Sequence, residues 1–148
     1  MEKRRVLFLC TGNTARSIMG EAILRSMAGD RFEVYSAGLT PSDVRPETIA
    51  VLEEDGYDTS GLHSKPVDEY LGTVFLHYLI TVCEQAEENC PRIWPQGGMR
   101  IFWPVSDPAK VDGDEQMRLA AFREVRDDMR LRIDEWVSAL PAVSGPGA

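Results

Sequence analysis

The feature that most constrains this chain is the stretch "VLFLCTGNTARSIMGEA", residues 6–22, where a wholly apolar run passes through a short polar loop into helical spacing. Val6, Leu7, Phe8 and Leu9 lack the alternation of a half-exposed strand, so they read as a strand covered on both faces, as in a parallel sheet. Met19, Ala22, Ile23 and Met27 then recur at helical spacing up to a stop at Gly29. Strand, loop and helix in that order are the first half of a βαβ unit, whose crossover is right-handed.

The pattern continues. Residues 32–36 alternate as a second strand that ends by Gly38, and Pro46, Glu47, Ile49 and Leu52 predict a second helix with proline in its first turn and Gly56 at its end. Residues 74–82 read as a third strand, and 99–105 as a fourth, weakened by Pro104, which has no N–H for a ladder. From 115 to 140, Phe122, Val125, Met129, Ile133, Trp136 and Leu140 share one face of a long helix. The expected fold is therefore α/β: a small four-stranded parallel sheet with helices on both faces, one domain over residues 1–140 and a flexible tail at 141–148. In such sheets ligands bind beyond the carboxyl ends of the strands, where Cys10 falls.

Cys10-Thr11-Gly12-Asn13-Thr14-Ala15-Arg16-Ser17 has the chemistry of an anion cradle. Successive N–H groups of a tight loop at a helix N-terminus form a nest for a tetrahedral oxyanion. Gly12 permits close approach, Asn13 tolerates a left-handed backbone, and the planar fork of Arg16 suits two oxyanion oxygens. That positive field predicts a depressed pKa for Cys10, with Ser17 adding a hydroxyl hydrogen bond to the thiolate.

Composition narrows the partners. A net charge of −8 argues against nucleic acid or an anionic membrane surface, and no apolar run approaches the ~20 residues of a membrane span. Met1 to Arg5 leads into a strand rather than a signal-peptide core, which places the chain in the cytoplasm. Three cysteines, Cys10, Cys83 and Cys90, are there inert, metal-bound or reactive rather than a disulfide framework. A C-x6-C spacing is poor for zinc, and His63 and His77 make no ligand pattern, so no metal site is expected.

The loop resembles the phosphate-binding loop of the low-molecular-weight protein tyrosine phosphatase fold, a Rossmann-like architecture that arsenate reductases share. Two further stretches resemble the thioredoxin-coupled reductases: "TVCEQAEENCPRIWP", with Cys83 and Cys90 at the spacing of their redox cysteines, and "FWPVSDPAKVDGDEQ", with Asp107 before Pro108. The likeness runs from Val6 to about Trp136 and includes "FREVRDDMRLRI" in the last helix. It departs at Ala15, where a cysteine is frequent, at Pro104, where a glycine follows the tryptophan, and at Lys65, where some members have an acidic cation ligand.

The resemblance implies reduction of arsenate to arsenite, with phosphate and sulfate as competing oxyanions, no bound cofactor, and thioredoxin as external reductant. Cys10 would attack arsenic held by the loop and Arg16, and Asp107 would assist proton transfer. Cys83 would then attack Cys10, and Cys90 would resolve that disulfide. Cysteines seven apart on a regular helix lie about 10 Å apart, so a Cys83–Cys90 bond would require residues 84–89 to rearrange if they are helical. Asn13, Glu21 and Ser36 resemble residues that in some members hold a potassium ion beneath the loop; because Lys65 replaces the aspartate that helps there, its ammonium is expected to substitute for the ion, pairing with Glu21 and bracing Asn13, the alternative being a solvated surface charge. The alternative is a phosphatase of the same fold, hydrolysing phosphomonoesters through a cysteinyl phosphate.

Overall fold

The computed structural model describes residues 3–70, 74–84, 86 and 98–140. Cys90, most of the segment 84–89 and the expected tail at 141–148 lie outside the described residues. Four strands, β1 (Arg4–Cys10), β2 (Phe32–Gly38), β3 (Tyr78–Thr81) and β4 (Met99–Phe102), form one parallel sheet in the order β2-β1-β3-β4. Three helices flank it among the described residues: α1 (Arg16–Ala28), α2 (Pro46–Glu54) and α3 (Glu115–Ala139). The chain leaves β1 for one side of the sheet and returns to its other side at β3, so the reversal of strand order falls between β1 and β3.

β1 is central, and Val6, Leu7, Phe8 and Leu9 have no exposed surface, as an uninterrupted apolar run demands. Met19 and Ile23 of α1 and Phe122, Met129 and Ile133 of α3 are likewise fully buried. Gly20 lets α1 approach β1 closely, since a Cβ there would meet the Phe8 ring at 2.6 Å. Trp136 stacks on Phe32 at 5.5 Å and meets Tyr78 and Trp103 edge-on, so α3 spans the sheet from β2 to the end of β4. No described helix is long and apolar enough to cross a membrane.

Two strands are shorter than their apolar runs predict. The β1–β3 ladder starts at Val6 opposite Tyr78, because the N–H of Arg5 donates to His77 Nδ1 at 2.9 Å in place of a strand carbonyl. Residues 74–77 are thus an approach to the sheet. β4 ends at Phe102; Trp103 still donates to Thr81 O at 2.9 Å, and Pro104 then interrupts the ladder.

Candidate active site

The loop between β1 and α1 owes its shape to donors outside it. Thr40 N donates to Thr11 O, Ser42 N to Gly12 O, Ser64 Oγ to Asn13 O, and both Arg45 N and Thr48 Oγ1 to Thr14 O, at 2.7–3.2 Å. In a trans peptide the C=O and the following N–H point in opposite directions, and no described peptide is cis. Pulling these carbonyls outward therefore turns the N–H groups of Gly12, Asn13, Thr14 and Ala15 inward. The Asn13 N–H is seen doing so, donating to Cys10 Sγ at 3.2 Å. α1 begins at Arg16 with no capping side chain and no acidic residue in its first turn, so its N-terminal donors are left for an anion.

Asn13 holds the loop from within. Its φ of 54° is the one positive non-glycine value among the described residues, as its tolerance of that region predicts. Its Oδ1 accepts the main-chain N–H of Lys65 at 2.8 Å, which fixes the amide orientation. Nδ2 then donates to Ser17 Oγ at 2.7 Å and to Ser36 Oγ at 3.0 Å, and the Ser36 hydroxyl donates in turn to Glu21 Oε1. Ser17 Oγ, accepting from Asn13, lies 2.8 Å from Cys10 Sγ, so its hydroxyl hydrogen is available to the sulfur when Cys10 is a thiolate. The Lys65 N–H, by orienting Asn13, thus sets the direction of both branches, one ending on the Cys10 sulfur and the other on the Glu21 carboxylate.

The loop does not produce the expected depression of the Cys10 pKa. Burial pushes the thiol up, ahead of the lowering by Ser17, the Asn13 N–H and, least of all, Arg16. Cys10 is 2% exposed, and Arg16 is turned away: Nη1 donates to Val105 O at 3.0 Å and Nη2 lies 3.8 Å from Asp107 Oδ2. A guanidinium partly neutralised by a carboxylate contributes little field at the sulfur.

Asp107 has two tasks, one per oxygen. Oδ1 caps the turn Pro108–Lys110 by accepting Ala109 N at 3.0 Å, the ordinary use of an aspartate before proline. Oδ2 is left facing Arg16. Cys83 follows β3 and is buried, and its Sγ lies 3.3 Å from Thr11 Oγ1. Cys10, Cys83, Arg16 and Asp107 all line one cleft of about 1280 Å³, together with Gly12, Thr14 and Ala15 and the walls formed by residues 42–47, 104–107, 109 and 110.

Lys65 is 6% exposed, with Nζ donating to His63 O at 2.6 Å and lying 3.6 Å from Glu21 Oε1. The ammonium reaches Glu21, but Asn13 is held by the Lys65 backbone. Arg25 adds a second cation, donating to Glu21 Oε2 at 2.6 Å. With an ammonium beside Glu21, these oxygens do not fit a potassium ion. Ser64, Thr48, the Val105 carbonyl and the Thr11–Cys83 contact carry no sequence signal, since each pairs residues far apart in the chain.

Residues 5–143 match the model of the low molecular weight phosphotyrosine protein phosphatase family. An arsenate reductase of Halalkalibacterium halodurans is 37% identical over 90% of this chain and 94% of its own. A solved arsenate reductase in its phosphate-binding state superposes with a TM-score of 0.75 at 29% identity, covering 93% of this chain and 99% of that one. The thioredoxin-dependent arsenate reductase of Corynebacterium glutamicum gives 0.66 at 25%, covering 92% of this chain and 61% of that larger one. A nucleophile loop with a second thiol against it and relatives matched over nearly their whole length place this chain in the low-molecular-weight phosphotyrosine protein phosphatase family, among its arsenate reductases.

Proposed function

We propose that the protein reduces arsenate to arsenite by a relay through Cys10, Cys83 and Cys90, with thioredoxin regenerating the dithiol. The observation that carries this reading is the position of Cys83: a second buried thiol at the wall of the oxyanion cleft, in contact with the loop threonine. Phosphoester hydrolysis has no use for it. The described lining of the cleft also contains no aromatic residue on which an aryl phosphate would stack.

Arsenate enters the cradle of inward N–H groups, and Arg16 swings from Val105 O to grip two of its oxygens. The Cys10 thiol, whose pKa burial raises, gives its proton to the bound dianion. The resulting thiolate, held by Ser17 and the Asn13 N–H, attacks arsenic, and water leaves with proton transfer assisted by Asp107 Oδ2. The Cys83 thiolate attacks Cys10 sulfur; the Cys10–arsenic bond breaks, its electron pair reduces arsenic to arsenite, and a Cys10–Cys83 disulfide forms. Cys90 attacks Cys83, releases Cys10 as the thiol, and leaves a Cys83–Cys90 disulfide for thioredoxin. The test is arsenate-dependent NADPH oxidation with thioredoxin and its reductase, run beside hydrolysis of an aryl phosphate. Rapid hydrolysis without arsenate-dependent oxidation would favour the phosphatase.

A further inference from the structure

Arg45 stands at the N-cap of α2 and lines the same cleft as the loop. Its main chain is committed, donating to Thr14 O at 3.2 Å. Its side chain is not. Nε is buried without a hydrogen-bond partner, and Nη2 lies 3.6 Å from Glu47 Oε2, beyond hydrogen-bond reach. That carboxylate oxygen is shared, because Arg118 Nε is also 3.6 Å from it. One carboxylate therefore faces two guanidiniums, and the Nη donors of Arg45, whose side chain is 39% exposed, stay unfilled on a cleft wall that Asp43 also lines. An acceptor supplied from the cleft would fill those Nη donors.

The cleft has room for this acceptor, being far larger than one tetrahedral oxyanion. The wall is also tied to the loop, since Arg45 N and Thr48 Oγ1 both hang from Thr14 O. From these observations we infer that Arg45, backed by Arg118, forms a second anion subsite, which takes a free tetrahedral oxyanion before it reaches the loop. The inference rests on reading the loop as the oxyanion site. Arg45 is thus a recruiting residue, which acts on encounter and leaves the chemical step alone.

Inorganic phosphate is the probe, and backbone amide shifts of residues 12–17 and 43–49 report the two positions separately. The parent should show two binding constants, and Arg45→Gln should abolish the response at 43–49 while leaving the loop constant within about twofold. In arsenate turnover, Arg45→Gln should lower kcat/KM about tenfold, the low end of what a focused cleft field adds to encounter, with kcat unchanged and Arg45→Lys restoring most of the loss. A single constant shared by both sets of amides in the parent overturns the proposal, as does an unchanged kcat/KM in Arg45→Gln. Capture of an acidic peptide at 43–49 with no phosphate response there would reassign the wall to a macromolecule and equally overturn it. If arsenate were not turned over, the phosphate titration would still decide the subsite.

Discussion

Replacing Ser17 by alanine removes the last donor in the branch that runs from the Lys65 N–H through Asn13 to Cys10. The hydroxyl hydrogen is available to the sulfur when Cys10 is a thiolate, so the lost interaction is one made chiefly to the thiolate. A hydrogen bond to a charged group contributes roughly 1.5–3 kcal/mol, and the lower end applies because Sγ keeps the Asn13 N–H. Each 1.4 kcal/mol is a factor of ten, so the reactive thiolate at fixed pH should fall about tenfold. The assay is alkylation of Cys10 by iodoacetamide between pH 6 and 10, in a background lacking Cys83 and Cys90. Ser17→Ala should move the profile to higher pH and slow alkylation about tenfold at pH 7. It also strands one hydrogen of Asn13 Nδ2, so loosening of the loop must be separated from loss of the donor. Ser36→Ala strands the other hydrogen without touching the sulfur, and should lower stability while leaving alkylation nearly unchanged. Equal alkylation by Ser17→Ala and the parent would refute the argument that this network prepares the nucleophile.

Other outcomes follow from the same geometry. Cys10→Ser should abolish arsenate reduction and any aryl-phosphate hydrolysis, whereas Cys83→Ser or Cys90→Ser should stop only cycling with thioredoxin; a Cys90→Ser enzyme cycling at the parental rate would exclude the relay. Lys65→Ala leaves Glu21 with Arg25 and Ser36 alone, and should cost about 1–3 kcal/mol in urea unfolding, with the parent showing equal activity and stability in potassium and in a large inert cation. Gly38→Ala would press a Cβ to 2.8 Å of Thr11 O and 3.0 Å of Asn13 N, so phosphate affinity at the loop should fall sharply while the helical circular dichroism persists. Because folding raises the Cys10 pKa above its unfolded value near 9.0, the stability held by the protonated thiol is present below that pH and lost as pH rises through the folded value. Melting temperatures from pH 8 to 11 should show this decline in the parent and its absence in Cys10→Ala.

The first βα unit was legible because its signals are local: an unbroken apolar run, a loop with glycine and asparagine, and an apolar helical spacing all lie within residues 6–29. The same holds for Pro46 opening α2 and for the single face of α3. Strand ends were less legible, since residues 74–77 have strand chemistry but meet β1 through an imidazole, which no periodicity encodes. At the site, the sequence determined which groups are present: Cys10, Arg16, Cys83, Asp107 and the residues that brace the loop. It could not determine their direction. Asn13 is oriented by a main-chain N–H 52 residues away, and Arg16 is parked on a carbonyl 89 residues away. The sign of the Cys10 shift was likewise a tertiary matter, because desolvation depends on everything packed around the sulfur, whereas the loop's donors can be read in order along the chain. Arg45 shows the same division: its charge is plain in the sequence, but its lack of an acceptor exists only once Glu47 is shared with Arg118 of α3.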